Sequence, residues 1–360
     1  MRATEADEFF MAQALELAEK GRGFVAPNPL VGAVVVKNGK IVGKGYHEKF
    51  GRAHAEINAL NEAKENARGA TLYVTLEPCT FYGKTPACVD RLITAGLRRV
   101  VIATKDPNPK VFGKGVALLK KAGIETEVGI KEEIAQRQNE SYFKFVKAQL
   151  PFVVLKLAQS LDGKIALLNG KSKWIDSPRS RNYSQKLRLY ADAILVGINT
   201  ILKDDPRLTC RIVPDKELLK VVLDTNLQIP LNARVLNKGN TLIFTAVEDS
   251  RKRNQLIRKG AKIITIKADQ GRFLPWPRIL LELYQIGIQT LLIEGGAKIA
   301  ASALRAKIVD KVYLFLAPIF LGEGLSYTQG IELKSLKDAI KLKEYKLQQI
   351  GKDILIEGYL

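Results

Sequence analysis

One histidine, two cysteines and a glutamate have the residue types and the spacing of a catalytic zinc site. His54 and Glu56 are separated by one residue, and Cys79 and Cys88 follow farther along the chain. A neutral imidazole and two thiolates can bind Zn²⁺ and leave the fourth tetrahedral position open for water. Zinc lowers the pKa of that water to about 7, and Glu56 can carry its proton to a leaving amine. The pattern predicts a zinc-dependent deaminase.

These side chains lie at the ends of predicted helices and strands. The apolar spacing predicts a helix from His54 to Lys64, a strand from Thr71 to Leu76 and a helix from Cys88 to Ala95. A helix N-terminus lowers the pKa of a thiol and favours anionic ligands, so these positions suit thiolates. The alternatives are a closed structural site completed by His47, because Cys210 is too far along the chain, or a cluster without metal.

Helices and strands alternate through the rest of the first half, which predicts a sheet covered on both faces. Thr4 and Asp7 form a capping box that starts a helix. Asn38-Gly39 predicts a tight hairpin turn. A single long helix is expected from Glu132 to Ala148.

The second half begins near Gln149-Leu150-Pro151, and the predicted domains are 1–148 and 149–360. Residues 197–200 are expected to end a buried strand, and residues 204–209 to form a polar loop. Farther on, a buried strand runs into Gly295-Gly296 and a helix, an arrangement that binds phosphate at helix N-termini. A tight turn with close packing explains the two glycines equally well.

Composition limits the class of protein. A chain of 360 residues, 46% hydrophobic and 26% charged, is expected to form about two globular domains. It contains no apolar run of about 18 residues, and its acidic N-terminal segment leads into a helix rather than a signal peptide. Three cysteines are too few for a disulfide framework, so we expect a cytoplasmic protein.

The net charge of +20 allows nucleic acid, an acidic membrane or a phosphorylated small substrate as partner. A lysine-rich solvated surface is the simpler explanation. The basic residues are spread along the chain and are not interleaved with aromatic residues, as they are in proteins that bind single strands. We therefore expect a small-molecule substrate, and neither nucleic acid nor membrane.

Several motifs identify a family. The general deaminase signature has two residues between its cysteines, whereas eight separate Cys79 from Cys88. With the motifs at 27–32 and 106–109, this spacing resembles the deaminase half of the bifunctional riboflavin-biosynthesis deaminase–reductases. Motifs of the second half resemble their reductase half, and they stand at 156–163, 174–175, 196–200, 204–209 and 294–296.

The resemblance implies an α/β protein with two domains. The first is a cytidine-deaminase-like α/β/α domain with a mixed sheet, and the second is a dihydrofolate-reductase-like α/β domain. It implies one Zn²⁺ per chain, NADPH as the second cofactor, and a homo-oligomer formed through the reductase domain. The implied reactions are deamination of a diaminopyrimidinone that carries a phosphoribosylamino group, and then reduction of its ribosyl group to ribityl.

The resemblance also assigns residues. His54, Cys79 and Cys88 match the zinc ligands and Glu56 matches the proton shuttle. The residues implied to contact the deaminase substrate are Asn28, His47 and Lys84. Those implied to line the NADPH site are Ala158, Trp174, Thr200, Asp204, Thr225, Gly296, Ala297, Lys298, Ile299, Ala300, Ala301 and Ser302. Those implied to touch the reductase substrate are Lys156, Ser172, Arg188, Leu208, Arg211 and Glu294.

Two residues depart from the family pattern. Phe81 stands where the family commonly has histidine, and Arg52 where it commonly has glutamate. They motivate one alternative, a reductase with a vestigial deaminase half. The positive charge motivates another, a deaminase that edits nucleic acid.

Overall fold

The computed structural model describes residues 4–81, 87–172, 175–213, 216–248, 250–269 and 273–360. The chain divides into two compact units, Met1–Gln149 and Leu150–Leu360. Each unit has its own main sheet and its own hydrophobic cores. Within the described ranges, no helix has the length and apolar character needed to cross a membrane.

The first unit is a five-stranded mixed sheet with helices on both faces. Its elements are α1 (Glu5–Glu19), β1 (Gly32–Lys37), β2 (Lys40–Tyr46), α2 (Ala55–Ala63), β3 (Thr71–Leu76), α3 (Cys88–Thr94), β4 (Arg99–Thr104), α4 (Lys114–Lys121), β5 (Glu125–Val128), α5 (Glu132–Gln138) and α6 (Glu140–Ala148). The strand order is β2-β1-β3-β4-β5. Strand β1 is antiparallel to both neighbours, and β3, β4 and β5 are parallel.

Alternate side chains of β1 enter opposite cores, as the period of two in a strand requires. Ala33 and Val35 pack in one core with residues of α2, α3 and α4. Val34 and Val36 pack in the other with residues of α1 and α5. The unit is therefore an α/β/α sandwich around a mixed sheet, as the family resemblance predicted.

The predicted start of α1 is confirmed, and it is tied to the sheet. Thr4 and Asp7 form the capping box, and the Asp7 side chain is buried. The Asp7 carboxylate also accepts a hydrogen bond of 2.8 Å from the Tyr73 hydroxyl, and it forms an ion pair of 2.7 Å with the Arg99 guanidinium. Burial alone would raise the pKa of Asp7, but these hydrogen bonds, led by that of Arg99, lower it to about 2. Arg99 also pairs with Glu127 on β5.

The prediction of one helix from Glu132 to Ala148 is wrong. The chain leaves helical geometry at Asn139, between α5 and α6. The buried Asn139 side chain accepts a hydrogen bond from the Leu30 N–H at 2.8 Å and donates one to the Leu30 carbonyl at 2.9 Å. An asparagine that binds backbone outside its own helix competes with continued helical pairing. The break therefore anchors the loop that precedes β1.

The second unit is built on a nine-stranded sheet. Its elements are β6 (Phe152–Ser160), β7 (Ala166–Leu167), α7 (Pro178–Tyr190), β8 (Ala193–Gly197), α8 (Ile198–Asp204), β9 (Leu219–Leu223), β10 (Thr241–Thr245), α9 (Ser250–Arg258), β11 (Ala261–Thr265), α10 (Trp276–Gln285), β12 (Thr290–Ile293), α11 (Ala297–Arg305), β13 (Lys311–Ala317), β14 (Gly324–Leu325), β15 (Glu344–Ile350) and β16 (Asp353–Tyr359). The order is β11-β10-β9-β8-β12-β6-β13-β16-β15, and β7 pairs with β14 separately.

In this spatial order, every strand from β11 through β6 to β13 is parallel to its neighbours. Strand β16 is antiparallel to β13, and β15 is antiparallel to β16. One face of the sheet packs on residues of α10 and α11, and the other on residues of α7, α8 and α9. Residues 198–204 form helix α8, whereas residues 197–200 were expected to end a strand and residues 204–209 to form a loop. Because the parallel strands run in one direction, their carboxyl ends meet at one edge of the sheet, where α/β proteins bind ligands.

Candidate active sites

The first site is the group formed by His54, Cys79 and Cys88, whose ligand atoms all lie within 4.8 Å of one another. The His54 Nδ1 is 3.2 Å from the Cys88 Sγ and 3.6 Å from the Cys79 Sγ. Tetrahedral zinc, with its usual bond lengths to nitrogen and sulfur, would separate such atoms by about 3.6 Å. The three side chains therefore fit Zn²⁺.

Each ligand is placed by the end of an element. His54 is the N-cap of α2, and Cys88 is the first residue of α3. Cys79 follows β3, and its sulfur accepts a hydrogen bond of 3.4 Å from the Cys88 N–H. The amide that begins α3 thus faces the Cys79 sulfur, which favours the thiolate.

Two glycines of β2 let α2 approach the sheet closely. A Cβ at Gly45 would lie 2.2 Å from the Ala55 carbonyl oxygen and 2.5 Å from the Ala59 nitrogen. A Cβ at Gly43 would lie 2.3 Å from the Ala59 carbonyl oxygen. Backbone therefore packs directly on backbone along α2, which sets the position of His54 at the N-terminus of this helix.

The two cysteines have different proton affinities. The hydrogen bond from the Cys88 thiol, followed by that from His54, lowers the pKa of Cys79 to about 4 despite its burial. The same bond to Cys79, together with burial, raises the pKa of Cys88. Because zinc binds both sulfurs as thiolates, metal binding at this pair is coupled to proton release.

Glu56 lies in the first turn of α2 and is only 3% exposed. Its Oε2 is buried without a hydrogen-bond partner among the described groups. Burial, reinforced by the nearby Cys79, raises the pKa of this carboxyl. An unpaired buried carboxylate oxygen is costly, and beside a metal site it is placed to accept a proton from water or substrate.

His47 is not available to close the zinc site. Its Nδ1 lies 3.0 Å from the Ala53 carbonyl oxygen, and its Nε2 lies 3.0 Å from the Asn28 amide nitrogen. Since a carbonyl only accepts, Nδ1 donates to it and Nε2 accepts from Asn28. Burial lowers the pKa of His47, consistent with a neutral ring. The structure thus brings Asn28 and His47 together.

The remaining residues of this region are less enclosed. Phe81 is 42% exposed, and Arg52 is also exposed. Lys84 lies outside the described residues.

The second site is a cavity of about 590 Å³ in the second unit. It lies at the carboxyl ends of β6, β8, β9 and β12. The residues assigned from the sequence that line it are Lys156, Ala158, Ser172, Thr200, Asp204, Thr225, Glu294, Gly296, Ala297, Lys298, Ile299 and Ser302. Arg188, Leu208, Arg211, Ala300 and Ala301 are not among the lining residues. Trp174 lies outside the described residues.

Arg188 has partners of its own. Its Nε and Nη2 bind the two Glu294 carboxylate oxygens at 2.8 and 2.7 Å, and its Nη1 donates to the Thr209 carbonyl at 3.0 Å. Burial alone would raise the pKa of Glu294, but the guanidinium of Arg188 holds it below its usual range, with smaller contributions from Lys156 and Arg211. The Arg188 guanidinium therefore orients a carboxylate of the cavity wall.

The two glycines before α11 have different roles. A Cβ at Gly295 would lie 2.7 Å from the Ile299 Cβ, so this glycine is needed for close packing. A Cβ at Gly296 would meet only the Thr200 hydroxyl, at 3.7 Å. Gly296 thus leaves room in the cavity wall at the N-terminus of α11, and a helix N-terminus is a position that can bind an anionic group.

The sequence reasoning missed several polar residues of the cavity wall. They are Asp176, Lys203, Asn226 and Gln228. Asp176 carries the clearest signal, because it stands between the Trp174-Ile175 motif and the helix start at Ser177-Pro178. The others follow strands or lie on α8, and only the fold brings them to this edge.

Comparison with known proteins finds matches for both units. The family model of the cytidine and deoxycytidylate deaminase zinc-binding region matches residues 4–104, and that of the RibD C-terminal domain matches residues 151–356. The riboflavin biosynthesis protein RibD of Aquifex aeolicus is 46% identical, over 98% of this chain and 98% of that protein. RibD of Escherichia coli is 38% identical, over 97% and 98%.

Solved structures extend the likeness to the whole fold. Acinetobacter baumannii RibD superposes with a TM-score of 0.90 at 35% identity, covering 99% of each chain. The diaminohydroxyphosphoribosylaminopyrimidine deaminase/5-amino-6-(5-phosphoribosylamino)uracil reductase of Thermotoga maritima superposes with a TM-score of 0.89 at 37% identity, covering 98% of each chain. By its sequence over nearly its full length and by its fold, the chain belongs to the RibD family of riboflavin biosynthesis proteins.

Proposed function

We propose that this chain catalyses two successive steps of riboflavin biosynthesis. The first is hydrolytic deamination of 2,5-diamino-6-(5-phosphoribosylamino)pyrimidin-4-one to 5-amino-6-(5-phosphoribosylamino)uracil. The second is NADPH-dependent reduction of the ribosyl group to ribityl. The observation that carries the proposal is a three-ligand metal group in the first unit, beside a buried carboxylate with one unpaired oxygen, in a chain that matches RibD through both units.

In the deaminase site, His54, Cys79 and Cys88 hold the metal. Bound Zn²⁺ supplies a Lewis acid that activates water at neutral pH. Glu56 takes a proton from the attacking water and delivers it to the amine, so that a ring C–O bond forms, the C–N bond breaks and ammonia leaves. The raised pKa of Glu56 suits this exchange, because the group must both accept and release the proton.

The polar pair beside the metal binds the pyrimidine. The amide of Asn28 and the ring of His47 are 3.0 Å apart and fix each other's orientation. We assign substrate contacts to both, and to Lys84. Phe81 offers an exposed ring for stacking in place of the family's histidine.

In the reductase site, NADPH supplies the hydride. We place its phosphates before the open N-terminus of α11, and its other contacts at the cofactor residues assigned above. Lys156, Ser172 and Glu294 line the same cavity and are placed to contact the sugar. Arg188 acts on the substrate through the Glu294 carboxylate that it orients. Leu208 and Arg211 are assigned to the phosphoribosyl group on the family pattern.

We further propose that the enzyme is cytoplasmic and forms a homo-oligomer through its reductase unit. Three free cysteines suit a reducing compartment. Among the described residues β15 is the outermost strand of the nine-stranded sheet, and Tyr345, Leu347 and Ile354 are 64%, 63% and 43% exposed on the β15–β16 hairpin. Apolar side chains grouped on an exposed sheet edge are typical of an association surface.

Both alternatives lose support. A vestigial deaminase half does not need the intact ligands or the buried Glu56, and the likeness to RibD extends over both units. The same full-length likeness opposes a nucleic-acid-editing deaminase.

A coupled assay tests the proposal. The enzyme loaded with zinc is given the diaminopyrimidinone phosphoribotide, ammonia release is measured, and NADPH oxidation is followed at 340 nm. Glu56→Ala is expected to reduce ammonia release by at least about 100-fold, with zinc content unchanged and NADPH oxidation retained on the deaminated substrate. Glu62→Gln, on the exposed face of α2, serves as the matched control. Unchanged ammonia release in Glu56→Ala would refute the assigned mechanism.

A further inference from the structure

Lys156 is a lysine inside the central part of a sheet. It lies on β6, between β12 and β13, and its side chain is only 14% exposed. A charged group in such a position is costly unless it has a charged or polar partner. The identity of that partner decides where the ammonium is held in the cavity.

The carboxylate that pairs with Lys156 belongs to Asp176, with Oδ2 at 3.4 Å from Nζ. The ammonium also lies 5.3 Å from the centre of the Phe315 ring. Glu294 is close enough to interact with Lys156 electrostatically, but both its oxygens are taken by Arg188. Asp176 and Glu294 are therefore bonded to different cations.

Asp176 is itself held firmly. It precedes Ser177, the N-cap of α7, and its backbone carbonyl accepts a hydrogen bond of 2.5 Å from Arg181. Its side chain is 12% exposed, and the Arg181 guanidinium is 3.8 Å from the carboxylate. The carboxylate is thus fixed at the cavity wall by the start of a helix.

The helix does not need the Asp176 carboxylate for capping. The Ser177 hydroxyl accepts the hydrogen bond from the Ser180 N–H, and the buried Asp353 carboxylate accepts one from the Ser177 N–H at 2.7 Å. Since the start of α7 is satisfied by these groups, the charge of Asp176 is not used for capping, and it acts on Lys156 at 3.4 Å and on Arg181 at 3.8 Å.

We propose that Asp176 is a positioning residue of the reductase site, whose carboxylate holds the Lys156 ammonium where it faces the sugar of the substrate. The inference rests on the reductase activity proposed above. Of the three N–H donors of the ammonium, one points to Asp176, which leaves the others for the sugar oxygens. Without this partner the long side chain has more rotamers to choose from, and the productive orientation becomes rarer.

The test uses the full-length enzyme, NADPH and the deaminated phosphoribosyl substrate in single-turnover and steady-state measurements. Asp176→Asn is expected to lower the reductase kcat by about 10- to 100-fold, with the KM for NADPH within about twofold. Asp176→Glu is expected to recover part of the rate, because it restores the charge. In a Lys156→Met background, Asp176→Asn is expected to have no further effect, since residues that act as a unit are not additive.

Glu282→Gln is the matched control, because it removes a carboxylate that is ion-paired with Arg278 on α10 and does not line the cavity. Wild-type kcat in Asp176→Asn would overturn the inference, as would an undiminished effect in the Lys156→Met background. If Asp176→Asn does not fold, Asp176→Ser is measured in the same way, and unfolding of both would show a purely structural role. A wild-type enzyme that does not oxidise NADPH with this substrate would refute the proposed function itself.

Discussion

Replacement of Gly45 by alanine should separate the two activities of the chain. The new methyl group would start 2.2 Å from the Ala55 carbonyl oxygen, whereas ordinary contact begins at 3.4 Å, so α2 must move by about 1.2 Å. Overpacking of this kind costs about 1–3 kcal/mol in the free energy of unfolding. His54 and Glu56 lie at the N-terminal end of α2, and a misplacement of about 1 Å at a catalytic centre can lower the rate 100-fold.

The assay is ammonia release by enzyme purified with zinc, together with zinc content and thermal unfolding. NADPH oxidation on the deaminated substrate should be unchanged, since all cavity residues lie beyond residue 150. Gly39→Ala is the matched control, because its methyl group meets nothing within 4 Å and adds only the strain of a positive φ, about 1–2 kcal/mol. If Gly45→Ala binds zinc fully and deaminates at more than half the wild-type rate, the packing argument is refuted.

Two further predictions concern the supports of the deaminase site. Because the folded pKa of Asp7 is about 2 and its ordinary value is 3.8, its contribution to stability should be complete above about pH 4 and lost as the pH falls through 2. Asp7→Asn should therefore lower the unfolding free energy at pH 7 by about 2–3 kcal/mol, the free energy that corresponds to this pKa difference, and flatten its acid dependence in urea titrations. A constant difference from pH 7 to 2 would contradict this assignment. Asn139→Ala should leave the Leu30 backbone groups unpaired and destabilise the first unit by about 2–3 kcal/mol. It should also raise the KM for deamination, since Asn28 lies two residues from Leu30. An unchanged KM in steady-state ammonia release would show that the loop needs no such anchor.

Local signals in the sequence were sufficient for the zinc site. Histidine and cysteine are scarce in this chain, and three of them stand at the ends of elements whose apolar periodicity is clear. The capping box of α1 and the Asn38-Gly39 turn are likewise local, and the structure has both. The interactions of the capping box and the turn join residues that are close in sequence, whereas the zinc ligands, 34 residues apart at most, are recognised by their types and spacing.

The features that the sequence did not reveal depend on distant partners. The break at Asn139 is held by Leu30, 109 residues away. Without that partner, the pattern from 132 to 148 is a good helix. Helix α8 was missed for another reason: it is short, and it directly follows the glycine that ends β8. Short helices depend mainly on tertiary packing, and here Ile201 is buried in the core that the sheet forms with α7, α8 and α9.

Arg188 shows why residue type alone is a weak guide inside a cavity. A guanidinium fork matches a phosphate and a carboxylate equally well, so the sequence cannot choose between a ligand and a protein partner. The structure places Glu294, 106 residues later in the chain, against that fork. With Glu294 held in this way, the Lys156 ammonium is left to pair with Asp176, so that Glu294 and Asp176 each meet a different cation. The fold therefore decides which carboxylate of the reductase site pairs with which cation.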